Sequence, residues 1–224
     1  ALVDSLTVIL VYLIAARVYN RSIAILAAAF SALAVLQIQQ SHFFTMDTFI
    51  NFFTFQALYF AITIAADNRV WDIPYSAQDS EEAKGSVQKS VSNFFTHPLF
   101  LPSLGFGLAL GMAAASKLNA APMALMLPAA LLIRLMRFPV DERKEFAFQA
   151  FWYLVTAAGI SLAVFRILQP YAFSGPGLFN LRLNPQWVAN IRELRAQSSG
   201  DVDFPPAMQW ARRSFWFSGK NLIL

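Results

Sequence analysis

Six long apolar stretches alternate with polar segments along the chain, at residues 2–18, 22–38, 44–66, 99–115, about 118–136 and 146–168. Each is close to the ~20 residues that a helix needs to cross a bilayer. The pattern predicts an all-α, polytopic transmembrane bundle of about six spans. Residues 222–224 are apolar again, so segment 220–224 suggests the start of a seventh span.

The composition agrees with a membrane protein and excludes several other classes. Only 13% of the residues are charged and 57% are hydrophobic, whereas soluble domains carry about 25% charged residues. The chain has no cysteine, which excludes disulfides, thiolate nucleophiles and cysteine-ligated metals within it. We attribute the net charge of +4 to membrane topology, and we expect no nucleic-acid partner.

Two long polar segments divide the chain. We interpret residues 1–224 as a single incomplete membrane domain: three spans in 1–66, a cytoplasmic loop in 67–98, three spans in 99–168, an outer loop in 169–219 and the next span from 220. Within the outer loop, residues 185–196 are expected to form a short helix, because Asn184 can cap it and Pro185 suits its first position.

Basic residues indicate the orientation. Alternating spans place Arg17, Arg21 and the cluster at 134–144 on one side, which the positive-inside rule identifies as the cytoplasmic side. Segment 169–219 is then outside, and its five arginines contradict the rule. Long loops tolerate this, so the arginines, which include Arg212 and Arg213, are mild support for an anionic ligand.

Ionisable side chains gather near the predicted outer ends of the spans, and such residues at membrane depth are functional candidates. They are Asp4, His42, Asp47, Lys117 and Arg166. Each also has a non-catalytic explanation: Asp4 and Arg166 could snorkel to the interface, and Lys117 could be solvated in a tight turn. His42 could be a satisfied polar residue, and Asp47 could cap a helix or favour its dipole.

These residue types suit an anionic, lipid-linked substrate. Lys117 and the loop arginines can pair with phosphate oxygens. Asp47 or Asp4 could orient a hydroxyl or help to hold a divalent metal ion, so the cofactor stays open. Two histidines on opposite sides of a membrane cannot form a multi-histidine site, and no phosphate-binding glycine loop or hydrolase motif is present.

Three short stretches resemble GT-C glycosyltransferases, in particular the protein O-mannosyltransferase (family 39) and lipid A aminoarabinose transferase type. The stretch from Leu6 to Tyr19, followed by residues 23–29, resembles that family's second and third helices. The stretch from Gln40 through Asp47 to Phe53 resembles its segment with Ser-Arg, then Asp, then Phe-Phe, separated by gaps. The stretch from Gly107 to Lys117 resembles its segment with two spaced glycines followed by Thr-Lys. The variant at 42–47 is most similar to a less characterised branch from Chloroflexi and archaea, known as a domain of unknown function.

The resemblance implies sugar transfer from a polyprenyl-phosphate donor to an acceptor at the outer face of a bacterial or archaeal cell membrane. It places Asp47 beside the donor and acceptor pocket and Lys117 near the donor phosphate. His42 stands where the family often has arginine. The family's catalytic carboxylate lies in an outer loop that we expect to precede Ala1, so Asp47 would have a supporting role and the fragment would be inactive alone.

Two other functions stay open from the sequence. A non-catalytic transporter or lipid-handling protein should carry polar residues through the bilayer midplane, and few are present in these spans. A scaffold subunit of a membrane complex would leave the outer ionisable residues without a purpose.

Overall fold

The computed structural model describes residues 2–43, 45–67, 94–175, 177 and 179–201, and residues 205, 213, 214, 216, 217 and 220. The chain divides into two compact units, Ala1–Leu168 and Gln169–Leu224. Most of the predicted cytoplasmic loop at 67–98, and all of the predicted span beginning at 220 except its first residue, lie outside the described residues.

The first unit is an α-helical bundle, which confirms the predicted fold class. Every predicted span corresponds to a helix, or to two consecutive helical segments, in the described part of the chain. The helices are α1 (Leu2–Val18), α2 (Arg21–Ala32), α3 (Val35–His42), α4 (Met46–Ala66), α5 (Phe100–Ser116), α6 (Met126–Arg137) and α7 (Arg143–Leu168).

Three helical segments of the described chain are long and apolar enough to cross a membrane. They are Met46–Ala66, Leu118–Arg137 and Val140–Leu168, and the bent pair of α2 and α3 would make a fourth. Helices α1 and α5 have 17 residues each. At 1.5 Å per residue such a helix is about 25 Å long, slightly short of a ~30 Å hydrocarbon core.

The second predicted span, at 22–38, is two helices bent by 52° rather than one straight helix. The bend lies at Leu33 and Ala34, and the extended backbone of Ala34 (ψ 110°) interrupts the helical hydrogen-bond ladder. Ser31 donates a hydrogen bond to the Gln37 side chain across the bend, at 3.1 Å. The polar residues after 37 therefore continue a helix instead of forming a loop.

The break predicted between the fourth and fifth spans is present. Helix α5 ends at Ser116, and a 3₁₀ segment, Leu118–Leu125, precedes α6. Lys117 between them has an extended backbone, with φ −158° and ψ 123°. Pro122 lies inside the 3₁₀ segment, and its missing N–H explains why a regular α-helix does not begin there.

Small residues allow α5 to pack closely between its neighbours α4 and α7. A Cβ added at Gly107 would lie 2.5 Å from the carbonyl oxygen of Ala157, and one at Gly105 would meet the ring of Phe60. The glycines of this helix therefore permit close helix approach. The buried core runs along these contacts and includes Ala57, Phe106 and Tyr153.

The second unit contains helix α8, Pro185–Ser199. Asn184 caps it, accepting a hydrogen bond from the N–H of Gln186 at 3.0 Å, and Pro185 occupies its first turn. The predicted cap and start are therefore confirmed. Gly200, in the left-handed conformation with φ 79°, ends the helix three residues later than predicted.

Candidate active site

An ion pair at one end of the bundle joins two of the candidate residues. The Lys117 Nζ lies 2.6 Å from the Asp47 Oδ1, although the residues are 70 positions apart in sequence. Their side chains are 46% and 42% exposed. A cation and a carboxylate that remain accessible to solvent can both exchange partners with an incoming ligand.

Local structure explains how each partner reaches this position. Asp47 is in the first turn of α4, where a negative charge is favourable. The N-cap is Thr45 rather than Asp47, so the capping explanation for Asp47 is wrong in its strict sense. Lys117 follows the last residue of α5, and its extended backbone turns the chain away from that helix. The exposed ion pair also shows that Lys117 is not simply solvated.

The connection between α3 and α4 is held by polar contacts that the sequence did not single out. The hydroxyl of Thr45 donates to the side-chain oxygen of Gln40, and the Thr45 N–H donates to the Gln40 carbonyl at 3.4 Å. The Nδ1 of His42 lies 2.9 Å from the carbonyl oxygen of Ile38 in its own helix. His42 is exposed, so in this structure it is a satisfied polar residue at the C-terminal end of α3.

The other candidates are not joined to this pair by a described contact. Asp4 is half-buried in the first turn of α1. Arg166 is only 7% exposed, so it does not snorkel into solvent. Arg213, in the second unit, lies over the ring of Phe217 at 5.0 Å. Arg212 lies outside the described residues.

A cationic network surrounds the opposite end of α4, and sequence reasoning missed it. Arg134, which the sequence analysis used only to orient the spans, is 2% exposed. Its Nη1 donates to the carbonyl oxygens of Ile64 and Asp67 at 3.2 and 3.1 Å, and lies 3.7 Å from the Asp67 carboxylate. Arg137 donates to the Ala65 carbonyl at 2.7 Å. These bonds satisfy carbonyls that a helix end leaves without intrahelical partners.

A third basic residue, Arg17, contacts the same end of α4. The Arg17 Nη1 donates to the Thr63 hydroxyl, and its guanidinium lies 5.5 Å from the centre of the Tyr59 ring. Arg17, Arg134 and Arg137 therefore share one end of the bundle, as the alternation of spans predicts. The signal that could have identified Arg134 is its position within the apolar run of α6, at membrane depth.

His97 adjoins this network on the approach to α5. Burial and the nearby Arg134 guanidinium lower the pKa of His97, while the Asp67 carboxylate opposes the shift. Its Nδ1 accepts a hydrogen bond from the Leu99 N–H at 3.2 Å, which requires that nitrogen to be unprotonated. The ring stacks on Tyr153 with 5.6 Å between the ring centres. The imidazole is therefore held neutral.

Within the residues that the structure describes, no group of three or more histidine and carboxylate side chains could hold a metal ion. Asp47 is instead paired with a cation.

One family model matches the chain. It is described as dolichyl-phosphate-mannose-protein mannosyltransferase and covers residues 1–77, about a third of the sequence. The matched part includes Asp4, His42 and Asp47 and ends before Lys117. The match supports a similarity to membrane glycosyltransferases of the GT-C type. A search of curated proteins and a search of solved structures gave no significant match.

Proposed function

We propose that this chain is part of an integral membrane glycosyltransferase that transfers a sugar from a polyprenyl-phosphate donor to an acceptor outside the cell. The family similarity supports the reaction class, and the apolar helices support membrane residence. We propose further that the sugar carrier is a polyprenyl phosphate and that the protein resides in the cell membrane of a bacterium or archaeon. We also propose that it is related to the branch from Chloroflexi and archaea.

The observation that carries the proposal is the exposed pair of Asp47 and Lys117. Two elements distant in sequence, the start of α4 and the end of α5, bring a carboxylate and an ammonium together at one end of the bundle. Such a pair offers a phosphate oxygen a ready cationic partner. When phosphate replaces the carboxylate at Lys117, Asp47 becomes available to accept a hydrogen bond from a hydroxyl group.

The reaction proposed is a direct displacement. An acceptor hydroxyl oxygen forms a bond to the anomeric carbon as the bond from that carbon to the phosphate oxygen breaks. The hydroxyl proton passes to a carboxylate base, and polyprenyl phosphate leaves with one additional negative charge. Lys117 stabilises that charge as it develops, while Asp47 has a supporting role in orienting the acceptor or the sugar.

The test is a transfer assay with polyprenyl-phosphate sugars and the complete natural protein, comparing Asp47→Asn and Lys117→Met with the unchanged protein. Loss of a group that stabilises transition-state charge lowers turnover by about 10²–10³-fold, and we expect an effect of that order for Lys117→Met. The matched control is Arg137→Ala, an exposed cation at the opposite end of α4. Unchanged turnover in both site variants would remove the pair from the active site.

A charge exchange separates chemistry from structure. The double variant Asp47→Lys with Lys117→Asp can rebuild the ion pair but moves the cation from α5 to α4. If the pair only fastens the two helices, the double variant should recover the activity that the single variants lose. We expect it to remain inactive, because the donor phosphate needs its cation at position 117.

A further inference from the structure

A closed loop in the second unit presents an apolar tip. Phe173 and Leu183 form an antiparallel bridge. Beside it, the Ser174 N–H donates to the Arg182 carbonyl and the Asn184 N–H donates to the Ala172 carbonyl, both at 2.9 Å. We call residues 173–183 the tip loop. The structure describes 173–175, 177 and 179–183 of this loop. The bridge and the two hydrogen bonds hold the two sides of the loop together at its base.

Packing and hydrogen bonds fix the base of the tip loop. Ala172 is fully buried, and Phe173 is nearly so. The side-chain amide of Asn184, the N-cap of α8, donates to the Tyr171 carbonyl at 3.1 Å. A Cβ at Gly175 would lie only 2.0 Å from the side-chain nitrogen of Asn180, so the two strands of the loop approach each other closely. The base of the loop therefore has a defined, packed conformation.

The described residues at the end of this loop expose hydrophobic side chains. Phe179 is 98% exposed, and Leu181 and Leu183 are each 48% exposed. Arg182 is exposed between the two leucines. A nearly fully exposed phenylalanine on a fixed base gains nothing from its own fold, whereas its transfer out of water would be favourable. These side chains are therefore available to an apolar partner outside the loop.

We propose that the tip loop inserts Phe179 and Leu181 into the membrane–water interface of the bilayer that the first unit crosses. Aromatic and aliphatic side chains beside arginine are typical of segments that lie in this interface, with the guanidinium near lipid phosphates. Arg182 supplies that charge. The inference depends on membrane residence alone, so it stands or falls separately from sugar transfer.

The short length of chain between α7 and the tip loop favours lipid as the partner of the loop. Helix α7 ends at Leu168, and the loop begins five residues later. Phe179 is 11 residues beyond Leu168, so even a fully extended chain could carry it no more than about 40 Å from that helix end. The 3₁₀ turn at Pro170–Ala172 shortens this reach. The apolar tip is thus tethered close to a bilayer that the same chain crosses.

The absence of cysteine from the sequence makes single-site labelling direct. Phe179→Cys and Arg192→Cys each receive an environment-sensitive fluorophore in the chain reconstituted into phosphatidylcholine vesicles. Arg192 is the matched control because it is exposed on α8 in the same unit. We expect the label at 179 to shift to shorter emission wavelength and to be quenched by lipids brominated on the acyl chains. The label at 192 should be quenched by aqueous iodide instead.

Two results would overturn the proposal. If iodide quenches both labels equally and brominated lipid quenches neither, the tip loop is in water. If the label at 179 is protected from both quenchers, protein covers the tip, either a second copy of this chain or another partner. Matching unfolding curves for the two variants show that any difference between the labels comes from their surroundings, because both replaced side chains are exposed.

Discussion

The two ends of α4 use charge in opposite ways. At the C-terminal end, Arg134 is buried and is bonded to two carbonyls and close to the Asp67 carboxylate. At the N-terminal end, Asp47 pairs with Lys117, and more than 40% of each side chain is exposed. The ion-pair chemistry is similar, but only the first pair is withdrawn from solvent.

This difference indicates what each end contributes. Removing one partner from a buried pair leaves an uncompensated charge and is strongly destabilising, whereas an exposed pair contributes little to stability. The Arg134 end therefore fastens α6 to the end of α4. We expect the Asp47 end to contribute little to the fold, and this expectation is why we propose that its accessible carboxylate and cation bind a ligand.

The largest expected loss of stability follows from Arg134→Met. The substitution leaves the Ile64 and Asp67 carbonyls without this donor and leaves the Asp67 carboxylate without this cation. We expect the free energy of unfolding in detergent to fall by about 3–5 kcal/mol. Arg137→Ala is the control: it removes the hydrogen bond from an exposed guanidinium to the Ala65 carbonyl, and the loss of such a bond costs about 1 kcal/mol. Equal losses would show that burial does not distinguish the two arginines.

A substitution in the middle of α5 changes the free energy of unfolding without changing any charge. Gly107→Ala forces a Cβ to within 2.5 Å of the Ala157 carbonyl oxygen and 3.0 Å of its Cα. Because both contacts are with backbone, α5 and α7 must separate, and overpacking of this kind is destabilising by about 1–3 kcal/mol.

Gly159→Ala is the matched control for that change, since a Cβ there would meet nothing within 4 Å. Alanine favours helix over glycine by up to about 1 kcal/mol, so this variant should be neutral or slightly more stable. Both variants are compared by chemical unfolding in the same detergent. A stabilised Gly107→Ala variant would mean that α5 and α7 do not approach as closely as described.

A smaller effect at the Arg134 end depends on pH. The pKa of His97 is lowered by burial and by Arg134, whereas the unfolded chain titrates near the ordinary value of about 6.5. Below that value the unfolded state binds more protons, so the contribution of neutral His97 to stability is complete above about pH 6.5 and is lost as the pH falls.

His97→Asn tests this assignment, because an asparagine oxygen can still accept the hydrogen bond from the Leu99 N–H. Melting temperatures measured from about pH 8 down to about pH 5 should fall less in this variant than in the unchanged protein. Parallel curves would assign the acid sensitivity to other groups.

The difference between local sequence signals and tertiary contacts explains which features the sequence could predict. Long apolar runs are local signals, so the helices near 2–18, 46–66 and 143–168 could be predicted. The bend at Ala34 could not, because alanine carries no signal for an extended backbone within an apolar run. The alternation of spans placed Asp47 and Lys117 at one end, but their contact at 2.6 Å depends on how α4 and α5 pack.

The contacts of Arg134 could not be predicted for a related reason. Charge counting uses basic residues near span ends to orient the spans, and it does not consider whether backbone acceptors lie within reach. The carbonyls that Arg134 binds belong to residues 67 and 70 positions earlier, and no local pattern links these segments. The roles of Asp4, Arg166 and Arg213 stay predictions, since no described contact connects them to the ion pair.

The smallest expected change in stability is at the exposed pair. Asp47→Asn and Lys117→Met should each alter the free energy of unfolding by no more than about 1 kcal/mol, because exposed ion pairs are worth about 0–1 kcal/mol. Measured beside Arg134→Met in one detergent, they should unfold almost as the unchanged protein does. A loss near that of Arg134→Met would mean that the pair stabilises the packing of α4 against α5. It would also remove the reason for assigning the pair to ligand binding. A small loss of stability together with a large loss of sugar transfer would instead support our interpretation of the two ends of α4. The Arg134 end would then stabilise the bundle, and the Asp47 end would contact the donor.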